Sequence, residues 1–134
     1  MKNLLALLAL VAAAALLAGC AAGTSVSRSQ SALDKYEPYV GEPIRGFTAF
    51  RIDSWQSVDR DHLILWTGIN DAWLIKVSGT CPDLMFADRI RVTSTGSQVS
   101  TMDKVIVRGD TCLIDTIKPI DVRQMKADRA ATKN

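Results

Sequence analysis

The sequence predicts a mainly β domain: a small curled sheet or barrel of about six strands, with one short helix and one disulfide. Three observations carry this. Between Phe47 and Ile117 apolar residues recur with period two, and β-branched and aromatic residues dominate the runs. The runs are short and broken by Gly, Asn, Asp and Ser. Several are apolar on both faces, and a flat sheet of such strands would expose one of them, so curling or closure is required.

The first strand runs from Phe47 to Trp55. The second, His62 to Thr67, sets Leu63 and Leu65 on one face and Ile64 and Trp66 on the other. A turn at Gly68-Ile69-Asn70-Asp71 leads into Ala72 to Val77, and these two strands make the clearest hairpin in the chain. Cys81-Pro82-Asp83 then reads as the start of a short helix, with proline at its first position and an acid beside it. Alternation returns at Arg89 to Thr93, and Ser94 to Gln98 is a turn. Lys104 to Arg108 and Cys112 to Lys118 form the last pair across Gly109-Asp110, and Pro119 is expected to stop the final strand. Asp121 to Asn134 reads either as a frayed helix or as a disordered tail.

The N-terminus is of another kind. Sixteen of the first 19 residues are apolar, Lys2 precedes them, and Leu17-Ala18-Gly19-Cys20 closes the run with small residues before a cysteine. This is an export signal over residues 1–19. The apolar stretch from Leu4 to Ala18 would cover only about 22 Å as a helix, against a hydrocarbon core of roughly 30 Å, so it is too short to span.

The Leu-Ala-Gly-Cys tetrapeptide resembles the bacterial lipobox, which implies cleavage before Cys20 and acylation of its sulfur and its new amino group. Several acyl chains hold a protein firmly where one does not. Ala21 follows, where an Asp would mark inner-membrane retention, and this points to the outer membrane with the domain facing the periplasm. Residues 20–32 hold the lipidated cysteine and a flexible tether, small and polar, spanning roughly 20 Å. Residues 33–120 form the β-rich domain and 121–134 the tail.

With Cys20 lipidated, Cys81 and Cys112 remain as an even pair in an oxidising compartment, and a disulfide between them is expected. It would close a loop of about 32 residues, worth about 3.5 kcal/mol by chain entropy.

Trp55, Trp66, the strand Trp73-Leu74-Ile75, the segment Cys81-Pro82-Asp83-Leu84 with Ala87 and Ile90, and the closing Cys112-Leu113-Ile114 together resemble a family of uncharacterised small proteobacterial envelope proteins, classed as a domain of unknown function. The likeness covers roughly residues 45 to 118. It implies envelope placement and a disulfide-linked domain, and it carries no catalytic residue over.

The residues themselves yield little chemistry. His62 is the single histidine, and in Asp59-Arg60-Asp61-His62 two carboxylates stand beside it, the types a metal site or an acid/base pair needs. The plainer account is a polar turn before a strand. No Gly-x-Ser-x-Gly elbow or glycine-rich phosphate loop occurs, and no cofactor, metal or catalytic residue is assigned. Trp55, Trp66 and Trp73 lie in or beside strands, where aromatics usually pack. Arg89, Arg91, Lys104 and Arg108 form either a basic stripe for anionic lipid or glycan, or a solvated strand face. Without Lys2 the formal net charge falls from +2 to +1, which argues against a nucleic-acid binder.

Two functions follow. One is a lipid-anchored, non-catalytic binding or accessory module whose partner is an envelope protein or glycan, one form being an inhibitor of a lysozyme-type hydrolase. The other is a small hydrolase or metal-dependent enzyme centred on His62 with Asp59 and Asp61.

Overall fold

A computed structural model describes residues 32–79 and 81–133. The signal segment, Cys20 and all but the last residue of the tether lie outside the described residues. In chain order come a 3-10 turn (Glu37–Tyr39), β1 (Gly46–Thr48), β2 (Ser54–Ser57), β3 (His62–Trp66), β4 (Asp71–Ser78), a second 3-10 turn (Pro82–Phe86), β5 (Ile90–Val92), β6 (Gln98–Ser100), β7 (Lys104–Val107), β8 (Asp110–Asp121) and helix α1 (Val122–Thr132). Six strands in the order β2-β3-β4-β8-β7-β5 make one antiparallel sheet curled into a half-barrel, and β1 pairs with β6 beside it. The expected fold class holds.

The β3–β4 hairpin sets the plan. Leu63 pairs with Ile75, Ile64 with Leu74 and Leu65 with Trp73, and the three β3 residues are wholly buried. Because strand side chains alternate, Leu63, Leu65, Ile75 and Val77 enter one cluster inside the curl, with Val105, Val107, Ile114, Ile117 and both cysteines. Ile64, Ala72, Leu74 and Ile120 face the other way, onto Tyr36, Val122 and Met125 from the helical segments. Burying each such side chain stabilises by about 1.5–3 kcal/mol.

Four expectations about element boundaries are corrected. The strand placed at Phe47 to Trp55 is two strands in different sheets. Phe47 pairs with Val99, Ala49 N–H donates to Ser97 O at 2.7 Å, and the chain crosses to β2 through an exposed stretch held by the Arg51–Asp53 ion pair at 2.8 Å. Ser94 to Gln98 is a turn only as far as Ser97, since β6 begins at Gln98; Gly96, at φ 65°, supplies the left-handed residue the turn needs.

The last hairpin turns on Arg108-Gly109 rather than Gly109-Asp110. Both turn residues have positive φ, as a two-residue hairpin loop of matching twist demands, and β8 starts at Asp110. Arg108 tolerates this conformation while its Nη2 donates to Phe86 O at 2.8 Å, tying the second 3-10 turn to the hairpin.

Pro119 does not end the final strand. Its carbonyl accepts from Gly41 N–H at 2.9 Å, so its own nitrogen points to that same outer side, and the missing donor falls outside the β4 ladder. A bulge earlier in β8 matters more. Lys76 pairs with Thr116 but Val77 with Ile114, so Asp115 is the extra residue, and Ile114 and Ile117 return to one face despite their spacing of three.

The Cys81–Cys112 disulfide forms, with its Cα atoms 6.1 Å apart, and fixes the start of the second 3-10 turn to β8. Of the two readings left open for the C-terminal segment, the structure shows a helix. Asp121 caps it, its carboxylate accepting from Gln124 N–H at 2.9 Å, and Val122 and Met125 are buried from one face.

Candidate functional site: two clefts at opposite ends of the sheet

Antiparallel pairing places the two ends of the β3–β4–β8 ribbon in different chemistry. At one end His62, Lys76 and Thr116 stand in a row as successive cross-strand partners. At the other, Trp66, Ala72 and Ile120 make the corresponding row, beyond which lie the hairpin tip and the loop that carries Phe50.

The polar end holds the predicted acid–histidine cluster. Asp59 Oδ1 accepts the backbone N–H groups of Asp61 and His62, each at 2.7 Å, and both carboxylate oxygens lie 2.9 Å from His62 Nδ1. A carboxylate only accepts, so Nδ1 carries the ring proton in this pair. Asp61 contributes its backbone carbonyl, which accepts from Val77 N–H at 2.8 Å, and its side chain does not join the pair. Thr116, the nearest hydroxyl along the row, donates to Asp115 Oδ2 at 3.1 Å. The cluster is therefore one carboxylate closing a turn and orienting one imidazole. Among the described residues no group of three or more His, Cys, Asp or Glu side chains is arranged to hold a metal ion.

His62 also lines a cleft of about 370 Å³. Its floor is sheet, with Leu74, Lys76, Thr116 and Lys118, and its opposite wall is the N-terminal segment, with Leu33, Asp34, Glu37 and Val40. Sequence reading missed Asp34, Glu37, Lys76 and Lys118. The β4–β8 register brings Lys76 and Lys118 together, and the packing of the N-terminal segment on the outer cluster sets Asp34 and Glu37 opposite them; neither is visible before the strands are paired.

The second cleft, of about 670 Å³, opens at the other end. Phe47 and Trp73 stack there with ring centroids 4.4 Å apart and planes 10° from parallel, and Trp73 Nε1 donates to Thr67 Oγ1 at 3.0 Å. Phe50 stands beside them almost wholly in solvent, at 92% exposure, with Arg51, Asp71 and Gln98 on the same walls. Phe50 and Arg51 fell inside a strand in the sequence reading, so their exposure was hidden.

The other singled-out residues resolve simply. Trp55 and Trp73 pack against the inner cluster and Trp66 against the outer one, each half-buried. Arg89, Arg91, Lys104 and Arg108 are exposed, and Arg108 is engaged at Phe86. Thr93, at the end of the same alternating run, donates to Asp103 Oδ1 at 2.9 Å. That carboxylate also accepts from the Ser100 N–H and hydroxyl, at 2.8 and 2.9 Å. Burial pushes the Asp103 carboxyl up, but the three donors outweigh it and hold it below the usual carboxylate range.

No curated protein and no solved structure matches this chain. A family model does match, over residues 1–134: the chain belongs to a family of unknown function (DUF6491).

Proposed function

We propose that the protein is a lipid-anchored envelope protein, held to the outer membrane through Cys20, whose domain is a non-catalytic binding module for a periplasmic glycan. The observation that carries the binding role is the aromatic cleft: an exposed Phe50 beside the Phe47–Trp73 stack, with Arg51, Asp71, Thr67 and Gln98 around it. Sugars offer apolar C–H faces to aromatic rings and hydroxyls to such polar groups.

Its position supports the reading. The first described residues, 32–34, pack near His62 and the outer cluster, so the tether joins the domain at the polar end, and the aromatic cleft opens at the far end. A domain hung from Cys20 then turns this cleft away from the bilayer. An enzymatic role for His62 has less support, because Asp59 closes a turn and Thr116 is committed to Asp115.

The test uses the full-length protein expressed with its own leader and purified in detergent. Intact mass should show diacylglycerol on Cys20, and the protein should co-sediment with purified peptidoglycan sacculi. Phe50→Ala, at a site with no buried contact to lose, should cut that retention at least tenfold while leaving the unfolding midpoint unchanged. Unaltered retention would refute the cleft, and a mature chain starting at Met1 would refute the anchor.

A further inference from the structure

The cleft at the tether end carries an inference that goes beyond glycan binding and does not depend on it. Asp34 and Glu37 line its outer wall, and Lys76 and Lys118 its sheet wall. The two pairs of opposite charge stand on facing walls. Here they do not pair with one another: among the described residues the salt bridges are Arg51–Asp53 and His62–Asp59. The two acids and two lysines therefore face a shared space of about 370 Å³, within the range of small-molecule sites.

We infer that this cleft binds a compact zwitterion, a primary ammonium joined by a short linker to a phosphate or carboxylate, with the ammonium against Asp34 and Glu37 and the anion against Lys76 and Lys118. Each charge of the ligand then meets the opposite charge of one wall, whereas a simple anion or cation would meet attraction on one wall and repulsion on the other. Leu33, Val40 and Leu74 supply the apolar surface on which a two-carbon linker rests. His62, oriented by Asp59, closes the side. Two sources offer this chemistry: the phosphoethanolamine headgroup of a bilayer lipid, and free solutes such as amino acids. The cleft's place beside the tether favours the headgroup.

Calorimetric titration of the detergent-purified full-length protein separates these. Phosphoethanolamine should bind saturably, with inorganic phosphate and ethanolamine each at least tenfold weaker. Glu37→Gln and Lys118→Gln, neither of which removes a side-chain hydrogen bond among the described residues, should each weaken it about fivefold or more. Adding phosphatidylethanolamine vesicles should lower the apparent affinity for phosphoethanolamine, whereas phosphatidylglycerol vesicles should not. If glycine binds as tightly and the vesicles do not compete, the site stands with a free solute as its ligand. No saturable binding of either zwitterion, phosphate binding as tightly as phosphoethanolamine, or both variants retaining full affinity would overturn the proposal. None of these results depends on sacculus retention, so the two proposals fail separately.

Discussion

The two faces of the central sheet are stabilised by different means. The inner cluster is enclosed by the curl of the sheet itself, by the β1–β6 pair and by a covalent link, and both cysteines are part of it. The outer cluster is smaller and is roofed by helical segments, held by apolar contacts, one N-cap, the Tyr39 hydroxyl on Asp128 at 2.9 Å, the Tyr36 hydroxyl on Gln56 at 3.3 Å and Lys126 Nζ on Ile69 O at 2.7 Å. A closed face resists local opening, whereas a roof joined by few bonds can lift without breaking the sheet. The difference matters for the clefts, because the zwitterion cleft has the N-terminal part of that roof as one wall, while the aromatic cleft is built on strands and the loops they anchor.

Removing the covalent link should produce the largest loss. Replacing Cys81 and Cys112 by Ala should destabilise the domain by about 3.5 kcal/mol, since the loop-closure restraint on the unfolded chain disappears. Urea unfolding of wild type and double variant under oxidising conditions would measure it, and a change under 1 kcal/mol would mean that the curl alone closes the inner face.

The Asp103 network should come next. Three donors from Thr93 and Ser100 converge on its carboxylate, joining the residue after β5 and the last residue of β6 to the residue that precedes β7. Asp103→Asn should cost about 1–2 kcal/mol at pH 7. The folded carboxyl titrates below its unfolded value. Its stabilisation is therefore complete above the unfolded value of about 4 and is lost as the pH falls through the folded one. The gap between wild type and variant should accordingly narrow below about pH 4. A gap that does not change with pH would place the effect in packing rather than charge.

The outer roof should show the smallest stability effect. Asp121→Ala removes the cap on α1 and should cost about 1 kcal/mol. Amide exchange should rise in α1 ahead of β3 and β4, and uniform exchange across all three would show that the two faces open together.

What could be read before folding follows the same division. β3 and β4 were legible because each alternates over five residues or more and is apolar on both faces, which fixes a central, doubly covered position. The disulfide was legible from the cysteine count together with the expected compartment. β1 and β6 were not, since each is three residues long without the flanking alternation that marked β5, and residue 48 and residue 98 meet only in the folded chain. The bulge at Asp115 hides Ile114 and Ile117 as face-mates by breaking the period two. The Asp59–His62 pair was visible as neighbours in sequence, but the charges of the zwitterion cleft come from three separate stretches, two lysines set side by side by strand register and two acids on the segment packed over them.

The lengths of the strands carry one more consequence. The middle of the sheet has β4 and β8, of eight and twelve residues, while its outermost strands, β2 and β5, have four and three. Unpaired backbone on an outermost strand is a template for another chain, and here that template is too brief for a neighbouring copy to extend. Pro119 withholds a further donor along the outer flank of β8. Many copies crowded together should accordingly stay separate rather than zip into fibrils.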